Sequence, residues 1–232
     1  MIRFPFSTRL AGLILVVFFA GASLTRSAPP ANGPGVLLAT MQAELERART
    51  SLAKSDPAPY FISYEVYDQH NLVVTGTYGA IVTSSVSTQR WADVTMRVGS
   101  PAMDNTHNES RDSGISSGPL PLSDDRDAIA RSLWELTNRE YRRATPAYTK
   151  VVTNTAVEAA EEDKSPDFSQ ETPETEVLPP APTVSFDKKS WEEKVRKYSS
   201  AFRKYPEIYS STVTLQINQT TSYFVSSEGT KV

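Results

Sequence analysis

The sequence predicts an α+β fold, an antiparallel sheet meander with flanking amphipathic helices, and two periodicities carry that expectation. Over residues 60–98, and again over 213–225, apolar and aromatic side chains stand at every second position, as in strands with one buried face. Over residues 37–52, 129–141 and 191–205 they recur three and four apart, which gathers them on one stripe of a helix. With 39% hydrophobic residues in a length of 232, the chain has enough apolar material for a core of ordinary size. It has no cysteine, so that core must hold through packing alone, without disulfides or thiolate metal sites.

Residues 1–22 have the form of a secretory signal peptide. Arg3 and Arg9 supply the positive start, an apolar run covers 10–19, and Ala20-Gly21-Ala22 supplies the small residues of a cleavage site. A retained membrane anchor is the alternative, but a spanning helix needs about 20 apolar residues and this run is shorter before Thr25 and Arg26 interrupt it. Residues 23–35, rich in Pro, Gly and Ala, read as a flexible tether, and one α+β domain is expected over 36–232. Leu37, Met41, Leu45, Ala48 and Leu52 form the stripe of a first helix that ends by Pro57. Tyr60, Ile62, Tyr64 and Val66 mark the inner face of a first strand, with a turn expected around His70 in "DQHN". "NLVVTGTYGAIVTSSVS" reads as a second strand and "RWADVTMRVGS" as a third, with Ala92, Val94, Met96 and Val98 inward. The tyrosines fit a core face better than a ligand-stacking surface, because strands commonly bury Tyr against their neighbours.

Residues 99–123 form a long polar loop, of a length expected only where a loop is mobile or functional. Ser123 or Asp124 then caps a helix with Ile129, Leu133, Leu136 and Glu140 on its stripe, widened by Trp134 and Tyr141, and Pro146 should end or kink it. The acidic, proline-rich segment 158–183 reads as a linker or a surface wrap. Ser190 and Glu193 fit a capping box opening a third helix, whose stripe of Trp191, Val195, Tyr198, Phe202 and Tyr205 suits a core more than a partner groove. Val213, Leu215 and Ile217, followed by Tyr223 and Val225, read as a hairpin about Asn218-Gln219-Thr220. Ser226-Ser227-Glu228-Gly229 is a second turn signal with three residues after it, as though a further strand should follow.

The formal net charge is −3; without the two arginines of the signal, 22 Lys and Arg stand against 27 Asp and Glu, a net charge of −5. A mildly acidic chain with no evident basic patch is a poor ligand for phosphate backbones, so no nucleic-acid partner is expected. Membrane contact is expected only transiently, through the signal. His70 and His107 are the two imidazoles, outside any HExxH-type pair, and both read as solvated loop residues with no carboxylate to orient them. There is no GxSxG, SxxK or Gly-rich phosphate loop, and Asp104-Asn105-Thr106 reads as an Asx turn. The sequence therefore nominates no catalytic, cofactor-binding or metal-ligating residue.

The order of "YFISYEV", "MRVGSPAMDNT", "LPLSDD" leading into "AIARSLWELTNREYRRA", "PDFSQETP" and "YFVSSEGT" resembles the amino-terminal half of TldD/PmbA-family proteins, specifically an exported bacterial branch. The resemblance covers most of the chain from about Met41 onward. It implies that the Ser-Glu-Gly turn stands near the junction to a carboxy-terminal half holding zinc through an HExxxH helix and a further ligand. This sequence contains no HExxxH. What the resemblance implies is an amino-terminal domain helping to form the dimeric shell around a peptide-processing cavity. The expectation is a non-catalytic domain, with no zinc in this chain and zinc only in a carboxy-terminal half. Expected partners are a second copy or a TldD/PmbA-like protein bearing such a half, and the expected location is extracytoplasmic, periplasmic or secreted. That location and the acidic balance argue against the DNA-gyrase association by which the family is also labelled. The alternatives are a stand-alone extracytoplasmic binding or dimerisation module and, third, an enzyme whose site the sequence does not display.

Overall fold

The computed structural model describes residues 34–107, 114–155, 165–176 and 186–232. The expected signal and most of the tether, the centre of the polar loop, and parts of the acidic segment lie outside these residues.

Helix α1 (Pro34–Leu52) opens on a proline, whose missing N–H costs nothing in a first turn, so two residues assigned to the tether belong to the helix. Its expected stripe is the buried one: Leu37, Met41, Leu45 and Ala48 are buried, and Leu52 packs against the same cluster.

Strands β1 (Pro59–Thr77) and β2 (Ala80–Ser100) form one long antiparallel hairpin. Three strands with a turn at His70 were expected there, and the structure corrects both points. His70 lies in the middle of β1, opposite Thr88 on one side and Gln219 on the other. The reversal comes at Tyr78-Gly79, between paired Thr77 and Ala80, and both turn residues have positive φ, 44° and 79°. That is the type I′ geometry whose twist matches a hairpin, and Gly79 adopts it without a Cβ clash. Strand β5 (Val213–Ser226) is likewise one strand along β1 and not the expected hairpin; Asn218, Gln219 and Thr220 face Asn71, His70 and Gln69. The odd-numbered parity of Val213 to Ile217 continues unbroken through Gln219 and Thr221 to Tyr223 and Val225, so one strand already puts them on one face.

The expected loop 99–123 contains two short strands, β3 (Met103–Asp104) and β4 (Ile115–Pro119), both antiparallel to β2. The sheet runs β3-β2-β1-β5, with β4 also on β2. Helix α2 (Arg126–Thr155) is capped by Asp125, which accepts from the Ala128 N–H at 3.0 Å, in place of the expected Ser123 or Asp124. It runs through Pro146, because Tyr148 packs on the core and Val151 is buried beyond the missing donor. Trp134, placed on the stripe by sequence, is half exposed. Helix α3 (Lys188–Ser200) is capped by Asp187, which accepts from Ser190 N–H at 3.1 Å, so Ser190 is the capped residue and not the cap. A 3-10 turn (Ala201–Lys204) follows it.

All three helices lie on one face of the sheet. Ile62, Tyr64, Val66, Ala92, Val94, Met96, Val98 and Val225 pack with α1 and α2, while Leu72 and Val74 pack with α3 and with Val213, Leu215 and Ile217. Between these clusters the same face carries two polar rows, Asp68–Arg90–Thr221 and His70–Thr88–Gln219. Those rows interrupt the apolar pattern without interrupting the strands. Arg90 makes the gap tolerable: nearly buried, it donates to both Asp68 oxygens at 2.6 and 2.9 Å and to Asp124 Oδ1 at 3.0 Å, tying the sheet to the start of α2.

Candidate functional site

A constellation of ionisable groups lies where β1 begins and β2 ends. Asp104 is fully buried, and its carboxylate accepts four bonds: Oδ2 from Tyr60 OH at 2.6 Å and Arg97 Nη1 at 2.8 Å, Oδ1 from Thr106 N–H and Oγ1, both at 2.7 Å. The Thr106 bond is the expected Asx turn, and Asn105 extends it by accepting from Val98 N–H at 2.7 Å. Burial pushes the Asp104 carboxyl up, but the hydrogen bonds from Tyr60, Arg97 and Thr106 outweigh it and hold the group below the usual carboxylate range. Burial, followed by the bond to Asp104, pushes the Tyr60 phenol far up.

This cluster reaches into the acidic segment. Asp104 N–H donates to Asp167 Oδ2 at 2.9 Å, and His107 Nδ1–H donates to Asp167 at 2.8 Å. Phe168 lies 4.8 Å from the Phe61 ring and 5.7 Å from Tyr60, with the Arg97 guanidinium 4.9 Å over its face. Phe168 N–H donates to Pro101 O at 3.1 Å. Farther on, Lys231 N–H donates to Glu174 O at 2.8 Å and Glu176 N–H to Lys231 O at 3.0 Å. Residues 165–176 are therefore a surface wrap and not a linker, and 230–232 turn back after Gly229 (φ 106°) to pair with Phe224 and Thr175. His107 is corrected from a solvated residue without an orienter to a clamp residue held by Asp167; His70 touches only Thr88 Oγ1, at 3.3 Å, among the contacts described. Asp167, 60 residues away in sequence from His107, gave no local signal.

A cleft of about 250 Å³ lies between α1 and the 226–229 turn, lined by Gln42, Leu45, Glu46 and Arg49 on one side and Val225 to Thr230 on the other. The buried Ser226 Oγ has no hydrogen-bond partner among the described residues. Among those residues no group of three or more His, Cys, Asp or Glu is placed to hold a metal ion. No described helix is long and apolar enough to cross a membrane.

A second feature contradicts the expectation that no basic patch exists. Over residues 188–204, Lys188, Lys189, Lys194, Arg196, Lys197, Arg203 and Lys204 stand against Glu192 and Glu193, seven cations against two anions, a local net charge of +5. All seven are exposed, and so are Tyr198 and Tyr205 of the expected core stripe, of which only Val195 is fully buried. Averaging charge over the whole chain concealed this; a window of one helix length displays it.

The described architecture is a TldD/PmbA-like fold. It is similar to the crystal structure of TldE from Thermococcus kodakarensis, with a TM-score of 0.50 and 11% identity, over 83% of this chain and 36% of that one. A protein from Thermotoga maritima, named for modulation of a DNA gyrase, aligns more loosely, with a TM-score of 0.39 and 9% identity over 82% of this chain and 36% of that one. This chain thus spans about 36% of the length of the TldE chain it matches. No family model matches the sequence, and no curated protein matches it either.

Proposed function

We propose that this chain is a non-catalytic, exported domain of a TldD/PmbA-like assembly, serving to join protein surfaces and not to cleave peptides itself. The observation that carries the reading is the shared fold with TldE over 83% of this chain. The state of the ionisable cluster supports it. Both oxygens of Asp104 are fully engaged by four donors, and Asp167 holds His107 and a backbone N–H, so these groups fasten the 165–168 wrap to the sheet. A general base needs an open lone pair directed at substrate, which Asp104 lacks. In this reading zinc and hydrolysis belong to an HExxxH-bearing half in a partner, and residues 1–22 direct the chain out of the cytoplasm. The test is co-expression with an HExxxH-bearing TldD/PmbA-type chain from the same genome, followed by gel filtration and peptide hydrolysis assays. A stable complex with activity confined to it is the expected result; hydrolysis by this chain alone overturns the reading.

The alternative of a stand-alone binding module draws on one particular observation, the exposed basic and tyrosine-rich surface of α3.

A further inference from the structure

We propose that the outer surface of α3 and the turn after it docks the acidic strip 171–176 of a second copy of this chain. This inference rests on charge and placement within the molecule and does not depend on the TldE likeness. Over residues 187–209 the surface sets seven cations against Asp187, Glu192, Glu193 and Glu207, a local charge of +3 in a chain of net charge −3, and Tyr198, Tyr205 and Tyr209 stand 60%, 56% and 97% exposed beside it. Such solvent exposure of three tyrosines next to clustered cations marks an interaction surface more than a solubilising face. The loop presenting Tyr209 is fixed: Tyr78 OH donates to Ile208 O, Thr77 Oγ1 to Ser211 O at 2.5 Å, and Arg203 Nε to Tyr78 O at 2.6 Å.

The complementary element is on the same molecule. Glu171, Glu174 and Glu176 are exposed, Pro173 lies among them, and the strip's backbone is held by Thr230 Oγ1 at 3.3 Å and by Lys231 at 2.8 and 3.0 Å. A strip already ordered by its own chain loses little freedom on docking. Its carboxylates match the ammonium and guanidinium groups, and its proline offers a rigid face to tyrosine rings. It cannot reach its own α3. The strip is tied to Lys231, which pairs with Val225 opposite Tyr64, whereas α3 packs against Gly76, about 40 Å farther along β1 at roughly 3.3 Å per residue. Docking between copies therefore joins two different surfaces, reciprocally across a two-fold axis or head-to-tail along a chain.

The experiment measures the mass of the full chain by light scattering over a concentration series, at low salt and at about 1 M salt, where charge is screened within ~3 Å. Two variants accompany it, Lys189→Glu/Lys197→Glu/Lys204→Glu on the patch and Glu171→Lys/Glu174→Lys/Glu176→Lys on the strip, with circular dichroism confirming their folds. Expected are mass growth at low salt, loss of it at high salt, association at least about tenfold weaker in each variant, and recovery when the two variants are mixed. A monomer at every concentration at low salt overturns the proposal, as does association that neither reversal weakens or that mixing fails to restore. Capture of a monomeric wild-type chain by phosphatidylglycerol vesicles, lost in the patch variant, overturns it in favour of an anionic lipid surface.

Discussion

Asp104 and Glu140 are both buried carboxyls, yet they respond to pH in opposite directions. Burial raises Asp104, but its four donors lower it further, so its folded state favours the charged form; that stability is present above the ordinary carboxylate range and is lost as pH falls below about 4. Asp104→Ala deprives Arg97 and Tyr60 of their shared acceptor and should cost about 3 kcal/mol in urea unfolding at neutral pH, with the difference from wild type shrinking in acid. A difference that does not change with pH would contradict the charged role. Glu140, 1% exposed, is raised by burial against the smaller pull of Ser116 and Arg143. Folding therefore favours its neutral form more than the unfolded chain does, so stability declines as pH rises through and above the usual carboxylate range. Glu140→Gln keeps both neighbours within bonding reach and should remove that decline; unfolding curves between about pH 4 and 7 that keep the wild-type slope would refute it.

At the scale of elements, α3 sits against the sheet because Gly76 has no side chain. A Cβ there would lie 2.7 Å from Val195 Cγ1 and 3.0 Å from Ala80 O. Gly76→Ala should therefore cost about 1–3 kcal/mol through overpacking, and hydrogen exchange should show the loss concentrated in α3 and the 72–76 stretch of β1. Protection of α3 equal to wild type would show that the helix docks independently of this contact. The inner faces of α1 and α2 and the strands' inward parity are legible in the sequence because each rests on local spacing: Leu37, Met41 and Leu45 on α1, Ile129, Leu133 and Leu136 on α2, Ala92 to Val98 on β2. Turns are misplaced by sequence where polar residues such as His70 and Asn218 occupy a strand interior, since local polarity resembles a reversal while the parity runs on. The Tyr78-Gly79 turn did carry a local signal in its glycine, masked by apolar neighbours. The clasp of Asp104, His107 and Asp167 joins residues about sixty apart and was invisible to any local pattern.

Across the whole molecule, charge is separated along the sheet, a basic helix over one end and an acidic wrap pinned at the other. Limited proteolysis tests the second half of that statement. The wrap at 165–176 should resist cleavage in the wild type, and His107→Ala together with Phe168→Ala should make it the first site cut, because they remove its imidazole clamp and its aromatic contacts. Unchanged protection in that double variant would assign the anchoring to the bonds that remain, Asp104 N–H to Asp167, Phe168 N–H to Pro101 and those with Lys231. The central functional claim is that this chain fastens and joins without performing metal-dependent chemistry. Isothermal titration of zinc into the purified full chain tests it most directly. Absence of stoichiometric binding is the predicted result, whereas tight one-to-one binding abolished by His70→Ala and His107→Ala would contradict it.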